Sequence, residues 1–366
     1  MRRRSPRNAS SSGSNGSSRS RCHTVAAPEY PHYVGSEGIA GHGVSPDVRS
    51  RAEEIVGQPL LVTAASLVIE RASADAVVLL RDAGIRAILL KGPPQQEWLA
   101  AADPPRLSVD VDLLVDPAQA EAAGRKLLDL GYSVVPEVTP GVGHHAALWT
   151  APGQVPVEVH ERLWGTAGDE WDVLSRETEA VTLAGETVEV QNEAGRCLVV
   201  ALHAAHHGAG KVATLYDLER AVAIADRSSW ERATSLARAV GAEAAFAAGL
   251  GLVPSGERLR ADLGLDEPTL TDGLALDIAT PSAGAAGYYW LSRQDGLRAR
   301  ARFLLRKLFP PADFMRFKHP YAHRGRGHLV LVYLYRPLWL ARWAVPGLRE
   351  WRRIRSRAES SDRTPE

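Results

Sequence analysis

The chain has 366 residues, enough for a sizeable core and two domains. Its 43 Lys and Arg balance 43 Asp and Glu, so no bulk field argues for nucleic acid as a specific partner. Two cysteines, Cys22 and Cys197, exclude a disulfide framework and fit a reducing cytoplasm.

Residues 1–45 are rich in Ser, Gly and Arg with almost no apolar periodicity, and read as a disordered basic extension. No apolar run follows Met1-Arg2-Arg3-Arg4, so this is not a signal peptide. From Ser45-Pro46-Asp47 the pattern turns helical. Apolar residues at three- and four-residue steps predict a helix over 60–81, closed by Gly84. Residues 86–90 read as the first strand, and Pro93-Pro94 opens a helix over 95–101. Between them Lys91-Gly92 forms a strand-to-helix turn. Such a turn suits an anion, because backbone N–H groups and the helix dipole face it.

Residues 102–107 form a loop that carries Arg106 towards the next strand, Val109 to Val115. Alternation along that strand puts Asp110 and Asp112 on one face, about 7 Å apart at Cα. Val109, Val111 and Leu113 then face a core. Two like charges about 5 Å apart repel by about 3 kcal/mol at an effective dielectric near 20. A divalent cation converts that repulsion into coordination. Arg106 either pairs with these acids or contacts phosphate, and its planar fork favours phosphate.

A helix is expected over 117–130, then strands at 133–138, 147–150, 155–160 and 187–190. In the third of these, Glu158 and His160 share one face while Val157 and Val159 share the other. His144 and His145, in the Gly-rich stretch before it, read as solvent-exposed loop residues.

The ordered trio resembles the nucleotidyltransferase superfamily built on the DNA polymerase beta fold. It is most similar to a bacterial branch with the pattern L-K-G, R-x-x-x-D-[IV]-D-L-L-V and [DE]-x-H. Leu90-Lys91-Gly92, Arg106 with Asp110-Val111-Asp112-Leu113-Leu114-Val115, and Val157-Glu158-Val159-His160 match in that order. A weaker likeness continues through L-F-P-P at 308–311 and Y-L-Y-R-P at 333–337. Most of the superfamily has Gly-Ser where this chain has Lys91-Gly92.

The resemblance implies an α/β (α+β) core with a mixed sheet, followed by a mostly helical C-terminal domain. It implies an NTP substrate and two Mg²⁺ (or Mn²⁺) ions held by Asp110, Asp112 and Glu158. Lys91, Gly92 and Arg106 would then take the phosphates. The acceptor, a small molecule or a protein, stays open. The rival readings are a nucleotide-binding protein without turnover and, less favoured, a metal-dependent hydrolase.

The hydrolase reading centres on His203 and His207, four apart on one helix face. Ala204 stands where H-E-x-x-H has its glutamate, so polar contacts near the active cleft or to substrate are preferred. His160, Lys211 and Asp217 are further candidates for such contacts, although Asp217 also has Arg220 within reach as an ion-pair partner. The expected division is core at 46–190, helical substrate domain at 191–348 and charged, fraying tail at 349–366. The apolar run 328–348 is interrupted by Arg336, Pro337, Arg342 and Pro346. It reads as packed against the protein, with peripheral membrane contact the minority alternative and no spanning helix.

Overall fold

A computed structural model of the chain describes residues 59–100, 108–135, 145–268 and 282–361. Arg106, His144, the Ser45-Pro46-Asp47 helix start and the N-terminal extension lie outside the described residues.

The architecture is mixed α/β with a helical C-terminal part, as the sequence leads one to expect. Seven strands among the described residues form one mixed sheet: β1 (Ala87–Leu89), β2 (Val111–Val115), β3 (Ser133–Val134), β4 (Ala146–Thr150), β5 (Val157–His160), β6 (Thr178–Leu183) and β7 (Glu186–Gln191). Their order is β3-β4-β5-β2-β1-β7-β6. β2 pairs with β1 in antiparallel and with β5 in parallel. β7 runs parallel to β1 and forms a hairpin with β6.

Helix α1 (Pro59–Asp82) ends at Gly84, whose φ of +74° is the left-handed closure expected there. With α3 (Ala120–Asp129) it covers one face of the sheet. Ile69, Val77 and Leu80 pack there on Leu89, Val111, Leu113, Val115, Val157 and Val159. The opposite face is backed by a helical layer in which α5 (Glu193–His207) packs on α6 (Val212–Ile224), α7 (Arg227–Ala239) and α8 (Glu243–Leu250), and α9 (Pro254–Asp262) packs on α6 and α8. Ile88, Leu90 and Leu114 belong to this second cluster, together with Leu198, Leu202, Trp230 and Phe246. α5 and α8 cross closely, since a Cβ on Gly249 would stand 2.1 Å from the Ala201 carbonyl oxygen. Asn192 caps α5 by accepting the Gly195 N–H at 3.0 Å.

Several boundaries differ from the sequence reading. The strand expected from Val109 starts at Val111, and Val109 is 46% exposed instead of facing the core. Helix 117–130 divides into a 3₁₀ turn, Pro117–Gln119, and α3, because Asp116 accepts the Ala118 N–H and starts a tighter turn. The edge strand β6 and the short helix α4 (Glu170–Leu174) carry no strong periodicity and escape the sequence reading.

The C-terminal helices are α10 (Ala283–Ser292), α11 (Gly296–Leu308), α12 (Ala312–Lys318) and α13 (Arg326–Ser361). α13 runs through Pro337 and Pro346. The run at 328–348 is not buried as expected: Leu331, Leu334, Tyr335 and Leu338 are each more than half exposed. From Arg349 to Ser361 the chain is helical instead of fraying.

Candidate active site

The site is built on the β2–β5 ladder. Asp112 stands opposite Glu158, and the next rung on the same face pairs Leu114 with His160. The flanking rungs, Val111–Val157 and Leu113–Val159, point into the α1–α3 core. Burial of those valines and Leu113 fixes the face on which the acids emerge, since a one-residue slip would exchange the two sets.

Asp112 is 3% exposed and His160 also 3%. The Asp112 Oδ1 lies 2.8 Å from the Lys91 Nζ and 2.9 Å from the His160 Nε2. The same His160 nitrogen is 3.5 Å from the Glu158 Oε2. Asp112, Glu158 and His160 each offer a donor atom within 4.8 Å of the others, the one such three-donor group among the described residues.

Electrostatics separates the two aspartates. Burial disfavours the charge on Asp112, but Lys91 and the hydrogen bond from His160 outweigh it and hold the carboxyl well below its usual range. The same contacts act on the partners: burial opposes the charge on Lys91 and on His160, and the facing carboxylates raise both above their ordinary values. For Asp110 the counter-charges, Lys91 and Lys211, do not offset burial and the neighbouring carboxylates. Asp110 sits at a bend just before β2, and burial, then Asp112 and Glu158, raise it to about 7. Asp110 lies outside the three-donor group.

Lys91-Gly92 sits at the strand-to-helix turn expected, leading into α2 (Pro93–Leu99). Gly92 has φ +94° and ψ −152°, a region open essentially to glycine alone. Conformation demands this glycine rather than tight space, since an added Cβ would have the Ser73 Oγ at 3.9 Å. Pro93 and Pro94 carry no N–H, so this helix start presents fewer amide donors than an ordinary one. Lys91 is held by Asp112, so the ammonium and not the amides dominates this corner.

Beside the acids lies a cavity of about 40 Å³, bounded by Lys91, His145, His160, Trp164, His203 and His206. It has room for water. His145 is therefore a wall residue rather than an exposed loop residue, with its ring centroid 5.5 Å from that of His160 and 5.1 Å from that of His206. His203 and His207 meet edge to face at 4.5 Å, but they are not part of any three-donor group among the described residues. Burial, then Lys91 for His203 and His145 for His206, push these two imidazoles well down, so they stay neutral near pH 7.

Lys211 precedes α6, with its Nζ 3.4 Å from the His207 Nε2. Asp217 is buried on α6, three residues before the buried Arg220. His206 and Trp164, with centroids 5.1 Å apart, are the site residues that sequence reasoning passed over. His206 lies three residues after His203 and shares its helix face, a signal open to the same periodicity argument.

A family model described as "Uncharacterised nucleotidyltransferase" matches residues 38–255. Among solved structures, the chain is similar to an antigenic nucleotidyltransferase-like protein from Paracoccidioides brasiliensis, at 14% identity and a TM-score of 0.34, over 55% of this chain and 94% of that one. No curated protein matches the chain. The family match spans the Lys91-Gly92 turn, the Asp110–Asp112 element and the Glu158–His160 strand, and the chain belongs to this family of nucleotidyltransferases.

Proposed function

We propose that the chain transfers a nucleoside monophosphate from an NTP to an acceptor that remains to be identified. The acceptor oxygen forms a bond to the α-phosphorus, the bond from that phosphorus to the α–β bridging oxygen breaks, and pyrophosphate leaves. The observation that carries the reading is the Asp112–Glu158 rung: two carboxylates side by side across a parallel ladder, with an imidazole nitrogen next to both.

This donor set fits a divalent ion of the Mg²⁺ or Mn²⁺ kind, with Asp112, Glu158 and His160 as holders; Asp110, whose charge interacts with Asp112 and Glu158, would serve a second ion. When bound, such ions stabilise charge on the phosphate oxygens and make the acceptor oxygen a better nucleophile.

The chain's own residues do the rest. Asp112 stays ionised because Lys91 and His160 hold it so. Lys91 is 19% exposed at its side chain and stands at the mouth of the site. Once Asp112 is otherwise neutralised, its ammonium is available to a phosphate oxygen. Gly92 sets the turn that aims it. Arg106, which also belongs to this reading, adds a second cation for the triphosphate. His145 lines the site, and neutral His203 and His206 offer uncharged hydrogen-bonding groups beside the acids, suited to orienting an acceptor without repelling the ions.

The test incubates the protein and Mg²⁺ with each α-labelled NTP and cell extract, following pyrophosphate and label. Label transfer that is lost in Glu158→Gln supports the reading. Equal transfer by Glu158→Gln and wild type, or no transfer with any NTP, overturns it.

A further inference from the structure

The helices over 282–361 lie beyond the family match, and their surface obeys a different rule from the rest of the chain. Residues 59–268 hold 17 Arg and Lys against 30 Asp and Glu, whereas residues 282–361 hold 17 against 4. The neutral total hides a strongly basic C-terminal region.

Its longest helix presents a continuous stripe to solvent. Positions 331, 334, 338, 342, 345, 349 and 352 step by three and four, so they share one face of α13. Leu331 is 55% exposed, Leu334 66% and Leu338 71%. Further along the same stripe Arg342, Arg349 and Arg352 are exposed. Single exposed leucines are ordinary, but a stripe of them that runs into a stripe of arginines is not.

Loose docking does not account for it, because the other side of α13 is fastened. Arg336 is 9% exposed, with its Nε donating to the Lys307 carbonyl at 2.6 Å and its guanidinium 5.5 Å from the Phe314 ring. The Tyr333 hydroxyl donates to the Pro310 carbonyl at 2.5 Å. α10 and α13 touch at the backbone, since a Cβ on Gly347 would meet the Gly284 carbonyl carbon at 2.5 Å. On the neighbouring α11, Phe303 is buried, while the exposed Leu305 shares a helix face with the exposed Arg302 and Arg306.

We infer that α11 and α13 form a peripheral docking surface for an anionic lipid bilayer. The leucines enter the boundary between headgroups and acyl chains, and the arginines pair with lipid phosphates and carboxylates. No helix among the described residues is long and apolar enough to span, so the contact is interfacial. A nucleic acid would satisfy the arginines but leave the leucines in water. A bilayer satisfies both along a helix lying flat. The inference stands apart from the nucleotidyl-transfer reading, and neither depends on the other.

The test uses the full chain, so that its N-terminal arginines are the same in every sample. Flotation is measured with phosphatidylcholine vesicles and with vesicles that also hold about 30% phosphatidylserine, in low and high salt. Wild type should partition at least about tenfold more strongly into the anionic vesicles, and less in high salt.

Arg342→Gln/Arg349→Gln/Arg352→Gln should lower that partition on the order of 100-fold, at about fivefold per charge. Leu331→Gln/Leu334→Gln/Leu338→Gln should lower it at least about tenfold while keeping the salt dependence. Because these side chains are exposed, circular dichroism and Tm should match wild type. Absence of anionic flotation, equal partition into both vesicle types, or unchanged partition by the leucine variant each overturns the inference. So does a dimer in sedimentation equilibrium that the leucine variant disperses, which gives the stripe to a second copy. So does oligonucleotide binding without vesicle binding.

Discussion

The two faces of the β2–β5 ladder are made by the same nine residues and behave oppositely. On one face the rungs Val111–Val157 and Leu113–Val159 are closed under α1 and α3, with Val111 and Leu113 fully buried. On the other, the rung between them carries Asp112 and Glu158, and Leu114 is dry again one step on. The difference teaches that the site is one carboxylate rung, with His160 a step on, set into a ladder whose other face is apolar. Its polarity survives because Lys91 and His160 answer Asp112 within hydrogen-bonding distance, not because water does.

The sharpest way to break that contrast is Asp112→Asn. Under the proposed function it should reduce transfer by at least about 1,000-fold, with label transfer as the readout. It should also destabilise the fold by about 3 kcal/mol in urea, since Lys91 and His160 lose the charge that holds them. On sequence grounds alone, relief of carboxylate repulsion would have made this change neutral or stabilising; the Lys91 and His160 contacts reverse the sign.

Leu113→Ala attacks the closed face. It should cost about 2–5 kcal/mol in the same melts, while activity per folded molecule at low temperature stays near wild type. Glu158→Gln strikes the open face, where the side chain is 22% exposed and the buried His160 nitrogen, 3.5 Å from Glu158, stays held by Asp112 at 2.9 Å. Turnover should fall about 100-fold, with the urea midpoint nearly unchanged and NTP binding by calorimetry retained.

The smallest effect belongs to Asp110→Asn, read as stability against pH in metal-free protein. Burial, with Asp112 and Glu158 beside it, raises the folded Asp110 to about 7, above its unfolded value near 4. The protonated form is favoured on folding, so its stability is complete below about pH 4 and is lost as pH rises through about 7. Asp110→Asn should therefore match wild type at pH 4 and exceed it by about 1–2 kcal/mol at pH 7.5, after allowance for partial exposure. Parallel curves for the two proteins across this range would contradict the assignment.

Much of this site is legible in the residues themselves. The alternation V-D-V-D-L-L-V and V-E-V-H places Asp112 and Glu158 on a common face, and the apolar partners supply the phase. Asp110 shows where alternation stops: it assumes that the strand extends through Asp110, but the ladder begins at Val111, and Asp110 lies outside the three-donor group. Lys91 shows another limit. Its place at a turn is readable, but its ion pair to Asp112 across β1 and β2 depends on tertiary geometry. His145 and His206 meet because β4 and α5 converge, 61 residues apart in sequence, which no local pattern encodes. β6 escapes because an edge strand with exposed polar residues lacks the apolar alternation that marks a buried one.

The parallel register of β2 and β5 limits how such a site can change over generations. Sliding one strand by a residue would turn Val157 and Val159 to the wet face, so that route to a new spacing between the acids is closed. Adjusting strand separation is closed as well, because the ladder fixes it near 4.8 Å. What remains adjustable at this rung is side-chain length. Glu158→Asp would draw one carboxylate back by about 1.5 Å, the length of one carbon–carbon bond, with both backbones left in place. Variation here proceeds one methylene at a time, on a frame held by aliphatic residues that never touch the chemistry.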